Sequence, residues 1–142
     1  MRPYEKTVTG LTVEGGSVAC FAINYPTRCY LEQIIVTQTD GTPVGFDVDL
    51  LSRDGLCPGG GSDSDSDPDT EDGLPWELYK VTETLQGVAG QLYHQFDPAV
   101  LYINRDPTDH PTPIYRIYLR LAPEGTGDKT FAVTLRSTSA VE

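Results

Sequence analysis

The sequence predicts an all-β chain, an antiparallel β-sandwich of immunoglobulin-like or jelly-roll-like kind that carries a long acidic disordered loop. Three observations predict it. Seven to nine short segments alternate apolar and polar side chains with period two. Gly, Pro, Asp and Ser clusters punctuate them at short intervals, and no long segment carries the 3.6-residue apolar period of an amphipathic helix.

In chain order, KTVTGLTV (residues 6–13) places Val8, Leu11 and Val13 among polar neighbours, and SVACFAIN follows after Glu14-Gly15-Gly16. Two β-rich runs joined by Gly-Gly read as a hairpin. LEQIIVTQT and PVGFDVDLLS flank Asp40-Gly41, a dipeptide that tolerates the positive φ of a tight turn, and read as a second hairpin. A three-residue loop of Asp40, Gly41 and Thr42 would pair Val36 with Phe46 and Ile34 with Val48, burying all four with Leu50. Gln33 and Thr37 would then share the opposite face with Asp47 and Asp49. A two-residue loop would instead set Glu32 against Asp49, a like-charge pair that cross-strand energetics disfavour.

LYKVTETL (78–85) reads as a half-exposed strand. In GVAGQLYHQFDPAVLYIN, Ala89 to Phe96 fits either one or two helical turns or a strand, and Val100 to Ile103 has the composition of a short strand. IYRIYLRL sets Tyr115, Ile117, Leu119 and Leu121 on an apolar face against Arg116, Tyr118 and Arg120 on a basic, wet one. After the turn PEGTGD, KTFAVTLRST points Phe131, Val133 and Leu135 inward and Thr134 and Arg136 outward, as a closing hairpin.

Residues 59–76, GGGSDSDSDPDTEDGLPW, hold an acidic residue at every second position from Asp63 to Glu71. A calcium loop of the EF-hand kind needs Gly at its sixth position and Glu at its twelfth. Starting at Asp63 puts Pro68 and Leu74 there, starting at Asp65 puts Thr70 and Trp76, and starting at Asp67 puts Asp72 and Leu78. Every register fails. Gly-Ser-Asp-Pro composition buries nothing apolar, so the stretch reads as a solvated insertion. It is not a linker between domains, because the residues before it suffice for about four strands, which need a partner sheet. The organisation expected is one β-sandwich domain over 1–142, with 54–76 as an acidic loop insertion.

Lys and Arg number 10 against 21 Asp and Glu, a formal charge of −11 that repels phosphate backbones and anionic bilayers. Neither nucleic acid nor membrane is an expected partner. The N-terminus MRPYEKTVTGLTV holds no apolar run of signal-peptide length, so the expectation is a soluble chain made in a cytoplasm. Cys20, Cys29 and Cys57 are odd in number and lack CxxC spacing, which predicts reduced thiols, with Cys20 packed as a small hydrophobe.

No catalytic constellation is legible. His94 and His110 sit in no HxH, HExxH or Cys-His spacing, and the GxSxG, SxxK, P-loop and GxGxxG patterns are missing. Abundant carboxylates in an acidic chain say nothing about a catalytic pair. The chain is therefore expected to be no enzyme and to need no cofactor or metal. The segment NRDPTDHPTPIY (104–115) is more informative. Pro107, Pro111 and Pro113, with His110 among them, stiffen it, so that ordering it on a partner costs little entropy. An ordinary inter-strand connection of polyproline character fits the same residues.

A compact acidic β-chain with few thiols, ending IYRIYLRLAPEGTGDKTFAVTLRSTSAVE, resembles the small virion proteins of tailed bacteriophages, most of all the head decoration, or cement, proteins. The resemblance implies a non-enzymatic protein, made in the host cytoplasm and located in the virion. It would dock on the major capsid protein or another virion protein, as a trimer at a local three-fold axis or between capsomers, and stabilise the shell by mass action. Its docking face would have to be less acidic than the rest, and Arg116, Arg120 and Arg136 supply that face by their outward parity. The alternative is a carbohydrate- or protein-binding sandwich module of a tail fibre or adhesin, with Tyr118, Tyr79 and Trp76 as exposed aromatics, or a tail or neck component.

If residues 59–73 bury nothing, replacing them with a short Gly-Ser loop leaves the melting temperature within a few degrees of the parent. A larger loss, or a strong rise of the parent's melting temperature on calcium titration, would show that the stretch packs or binds an ion.

Overall fold

A computed structural model describes residues 2–52, 80–99, 101–103 and 115–140. The acidic insertion, most of the proline segment and Cys57 lie outside the described residues, and with them the expectation of a disordered acidic loop.

The described residues form nine strands: β1 (Pro3–Val13), β2 (Ala19–Tyr25), β3 (Cys29–Asp40), β4 (Phe46–Leu51), β5 (Leu85–Gly87), β6 (Gln91–Gln95), β7 (Leu101–Ile103), β8 (Tyr115–Pro123) and β9 (Lys129–Ser139). All the pairing is antiparallel. The first sheet runs β1-β9-β3-β6, with β7 also on β3, and the second runs β2-β8-β4-β5. Inward side chains of both sheets meet in one core cluster that includes Val13, Ile34, Val36, Phe46, Val48, Leu50, Ile117, Leu119, Phe131, Val133 and Leu135. The apolar parity expected for β3, β4, β8 and β9 is therefore the observed one.

The strand pairing is not. None of the three expected hairpins forms. β1 pairs β9 and β2 pairs β8, so the Gly-Gly connection crosses from one sheet to the other. β3 pairs β9 and β6 whereas β4 pairs β8 and β5, so Val36 faces Val133 and Leu92 across the ladder, not Phe46. β8 and β9 likewise stand in opposite sheets.

Local contacts explain why these turns become arches. Beyond Asp40 the chain is held by Gln38, whose Nε2 donates to the carbonyls of Asp40 (3.1 Å) and Thr42 (2.9 Å) and whose Oε1 accepts from the Val44 amide (3.2 Å). Backbone groups that a hairpin ladder would pair are thus satisfied by one side chain. At the β1–β2 connection the Gly15 amide donates to Asp128 Oδ1 (3.0 Å), and a Cβ on Gly15 would lie 2.4 Å from the Gly127 nitrogen. The two arches rest on each other there, and only glycine permits that approach.

The middle of the chain settles one open alternative and corrects one strand. Ala89 (φ 53°) and Gly90 (φ 79°) reverse the chain between Val88 and Gln91, so 91–95 is strand rather than helix. Of the expected strand 78–85, the described part keeps an isolated bridge between Lys80 and Leu51, and regular pairing resumes only at Leu85. The short strand expected near Ile103 is β7. Cys29 is a free, buried thiol; Cys20 packs against an apolar cluster as expected but is disulfide-bonded, which corrects the expectation of a reduced thiol there. Whether two distant thiols meet depends on their Cα separation in the fold, which spacing in the chain does not encode.

An aromatic pair joins the two sheets. Phe46 of the second sheet lies against Phe131 of the first, centroids 5.0 Å apart and planes at 59°. Opposite Phe46 in the ladder stands Gly87, where a Cβ would fall 2.2 Å from the ring. Phe46→Ala or Phe131→Ala should each destabilise by roughly 3 to 5 kcal/mol, the range for truncating a buried aromatic. Gly87→Ala should cost about 1 to 3 kcal/mol through overpacking. Denaturant unfolding checks all three, and a near-neutral Gly87→Ala would show that the ring is not seated on that glycine.

Candidate functional site

The two outward faces of the sandwich differ. On the second sheet, Arg120 stands opposite Cys20 and Asp49, Tyr118 opposite Ala22 and Leu51, and Arg116 opposite Asn24. Parity sends these side chains away from the main core, yet Asp49, Leu51 and Tyr118 are all buried. Leu51 and Tyr118 form a second small apolar cluster with Cys20 against it. The expectation of a wet face on β8 is thereby corrected: that face is covered.

Its polar centre is Asp49. The carboxylate accepts from Arg120 Nη1 at 3.0 Å and from the Thr84 hydroxyl, and Lys80 Nζ lies at 3.4 Å. A carboxylate this buried is tolerated because its oxygens are engaged by charged and hydroxyl donors together. Arg116 donates to Asn24 Oδ1 (2.8 Å) and to the Tyr118 hydroxyl (3.2 Å).

The outer face of the first sheet is laid out in rows. Glu5, Arg136, Gln33 and Gln95 are register partners across β1, β9, β3 and β6, and Thr7, Thr134, Ile35 and Tyr93 form the next row. Arg136 Nε donates to Glu5 Oε2 at 2.7 Å and its Nη1 to Gln33 Oε1 at 2.8 Å, while Gln33 Nε2 donates to the Tyr93 hydroxyl. A continuous polar chain therefore spans all four strands. The Thr7 and Thr134 hydroxyls bond at 3.1 Å, and Thr12 and Thr130 at 3.0 Å. In these two rows the charged side chains are Glu5 and Arg136, and they pair. At the β3–β6 border, beside the β-bulge between Leu31 and Gln33, an opening of about 350 Å³ is lined by Glu32, Gln33, Gln95, Phe96, Asp97, Ala99 and Arg136.

The candidate contact residues scatter accordingly. Pro107, His110, Pro111 and Pro113 lie outside the described residues. Arg116 and Arg120 belong to the second sheet and Arg136 to the first, on opposite sides of the sandwich, so the expected common basic face does not exist. The cause is the β8–β9 arch: equal outward parity in different sheets means opposite directions. Tyr118 is buried, which removes it as an exposed aromatic, and Tyr79 and Trp76 lie outside the described residues. Among the described residues the exposed aromatics that sequence reasoning missed are Tyr30 and, more fully, Tyr93, 66 % exposed. The only signal for Tyr93 was the helix-or-strand ambiguity of 89–96, since strand parity points Leu92 inward and Tyr93 outward.

Among the described residues no cluster of three His, Cys, Asp or Glu side chains is placed to hold a metal. His94 sits edge-on to Phe96, centroids 4.6 Å apart, as a partly buried packing residue. Burial pushes the Cys29 thiol up, with the Ser137 hydroxyl working weakly against it, and the thiol sits 3.6 Å from the Thr27 carbonyl. Burial likewise pushes the Tyr25 hydroxyl above its ordinary value. Both groups stay neutral at physiological pH, and neither is an activated nucleophile.

The class this fold defines is the jelly roll: a five-stranded sheet with main path β1-β9-β3-β6 and a four-stranded sheet β2-β8-β4-β5 interleave in sequence, rather than in the immunoglobulin order, where A pairs with B and E with D. No family model matches the chain, and no curated protein matches it. Among solved structures it is similar to the infectious bursal disease virus VP2 subviral particle, at 14 % identity and a TM-score of 0.41 over 97 % of this chain and 33 % of that one. It is also similar to the Gx strain of the same virus, at 13 % identity and a TM-score of 0.40 over 98 % and 33 % of the two chains. The chain spans about a third of the length of these structures. At such TM-scores the likeness carries no functional argument, and the fold assignment rests on the strand order itself.

Removing one partner of a buried ion pair strands the other, so Asp49→Ala should destabilise by about 3 kcal/mol, the lower end of the range because Arg120 and Lys80 keep some solvent access. Urea unfolding measures it, and a loss under about 1 kcal/mol would make Asp49 no more than a surface ion pair.

Proposed function

We propose that this chain is a virion structural protein without catalytic turnover, acting by docking on other protein subunits of an assembled shell. The observation that carries the reading is the strand order, because the eight-stranded jelly roll is an architecture of viral capsid domains, though lectin and cupin domains share it. The finer reading, a decoration or cement role on the major capsid protein of a tailed phage, is supported by the sequence resemblance.

Within that reading the contact is the proline segment 104–113, with Pro107, His110, Pro111 and Pro113, together with Arg116 at the start of β8. Arg120 and Arg136 contribute less, since Arg120 lies further along β8 from that segment and Arg136 belongs to the other sheet. A shell-bound chain stabilises the shell by mass action, because it binds the assembled state alone.

Co-sedimentation with purified shells lacking this protein tests the reading. Wild type should pellet saturably, and a Pro111→Gly, Pro113→Gly double variant should bind roughly five- to tenfold more weakly, about 1 to 1.4 kcal/mol, because the freed segment must be ordered on contact. Failure of wild type to bind any such shell ends the structural reading. Equal binding by both proteins keeps it and removes the proline segment from the contact.

A further inference from the structure

We propose that the opening at the β3–β6 border of the first sheet's outer face binds a neutral, hydroxyl-rich ligand of the kind presented by the terminal hexose of a glycan. This site is independent of any shell contact. Its volume, about 350 Å³, falls within the range of small-molecule sites.

The lining selects the ligand by its mix of groups. Glu32 and Asp97 bring carboxylates, and Gln95 brings an amide; none of these side chains bonds to another described residue. Arg136 is fixed through Nε and Nη1 to Glu5 and Gln33, which leaves Nη2 to donate outward. An anionic ligand offers acceptors only and would face two carboxylates, whereas an ammonium offers donors only and would face Arg136. A hydroxyl donates and accepts at once, so a polyol satisfies carboxylates, amide and guanidinium together.

Two aromatics complete the arrangement. Phe96 is buried in the lining and gives an apolar surface. Tyr93 points outward from β6 two residues before Gln95, 66 % exposed, with its hydroxyl tied to Gln33. Tyr93 is not itself one of the lining residues, but its hydroxyl meets Gln33, which is, so the phenol end of the ring reaches toward the edge of the opening. The negative face of an aromatic ring attracts weakly positive C–H groups, which a pyranose presents on one side. Gln33 is buried and bonded at both ends of its amide, so the centre of the site is organised before binding and loses little entropy on contact.

Saturation-transfer NMR on the isolated chain is the test, using the methyl glycosides of glucose, galactose, mannose and N-acetylglucosamine, with 3′-sialyllactose and glucosamine as anionic and cationic controls. At least one neutral glycoside should bind, with a dissociation constant of roughly 1 to 10 mM for so small a contact. Gln95→Ala should weaken it tenfold or more while leaving the melting temperature near the parent value, since that side chain is exposed; Tyr93→Ala should weaken it as much and lower the melting temperature by a few degrees, since buried Gln33 loses a partner. Thr12→Ala, on the same face but remote in the register, should leave binding unchanged. No binding of any neutral glycoside overturns the proposal. Preference for either charged control overturns the ligand class, and binding that survives both Tyr93→Ala and Gln95→Ala overturns the site.

Discussion

Phe46 has to fit between two sheets at once. Its ring lies against Phe131 of the facing sheet and over Gly87 of its neighbour in the ladder, where there is no room for a Cβ. That contact fixes the approach of the sheets at one end of β4, and through β4 it fixes β8, which pairs with β4 and β2 together. Interiors packed at crystal density accept few other ring positions, so the three strands and the facing β9 are set by one side chain and one missing side chain.

The same arrangement gives the two outer faces their separate characters. Because β4 and β8 run side by side, Asp49 and Arg120 are register partners, and their charges meet where Leu51 and Tyr118 are already buried. Because β9 lies between β1 and β3, Arg136 is flanked by Glu5 and Gln33 and its charge is spent within the sheet. A chain with a formal charge of −11 thus carries, on the outer face of the first sheet, two rows in which the charged side chains Glu5 and Arg136 pair with each other. Over those rows a ligand or partner meets less repulsion than the overall charge would impose, whereas the carboxylates of Glu32 and Asp97 keep their charge at the opening.

The proposed shell docking and the proposed glycan binding would use different parts of the molecule. The proline segment joins β7 to β8, whereas the opening bounded by Glu32, Gln95 and Asp97 lies at the border of β3 and β6. A jelly roll accommodates both because its framework is carried by the inward side chains, which leaves the loops and outer rows free to vary in chemistry.

The sequence by itself determined which side chains face inward. Val36, Phe46, Ile117, Leu119, Phe131, Val133 and Leu135 are all buried as their alternation requires, because a strand with one buried face has period two whatever lies beside it. Only the tertiary structure decided which strands pair. Gly15-Gly16 and Asp40-Gly41 carry the residues of tight turns, but the same residues serve an arch that crosses between sheets, and both routes bury the same parity. The choice was made by contacts between segments far apart in the chain, Gly15 against Gly127 and Phe46 against Gly87. The candidate site follows that choice: Glu5, Gln33, Tyr93 and Arg136 come from four strands, and no spacing in the sequence brings them together.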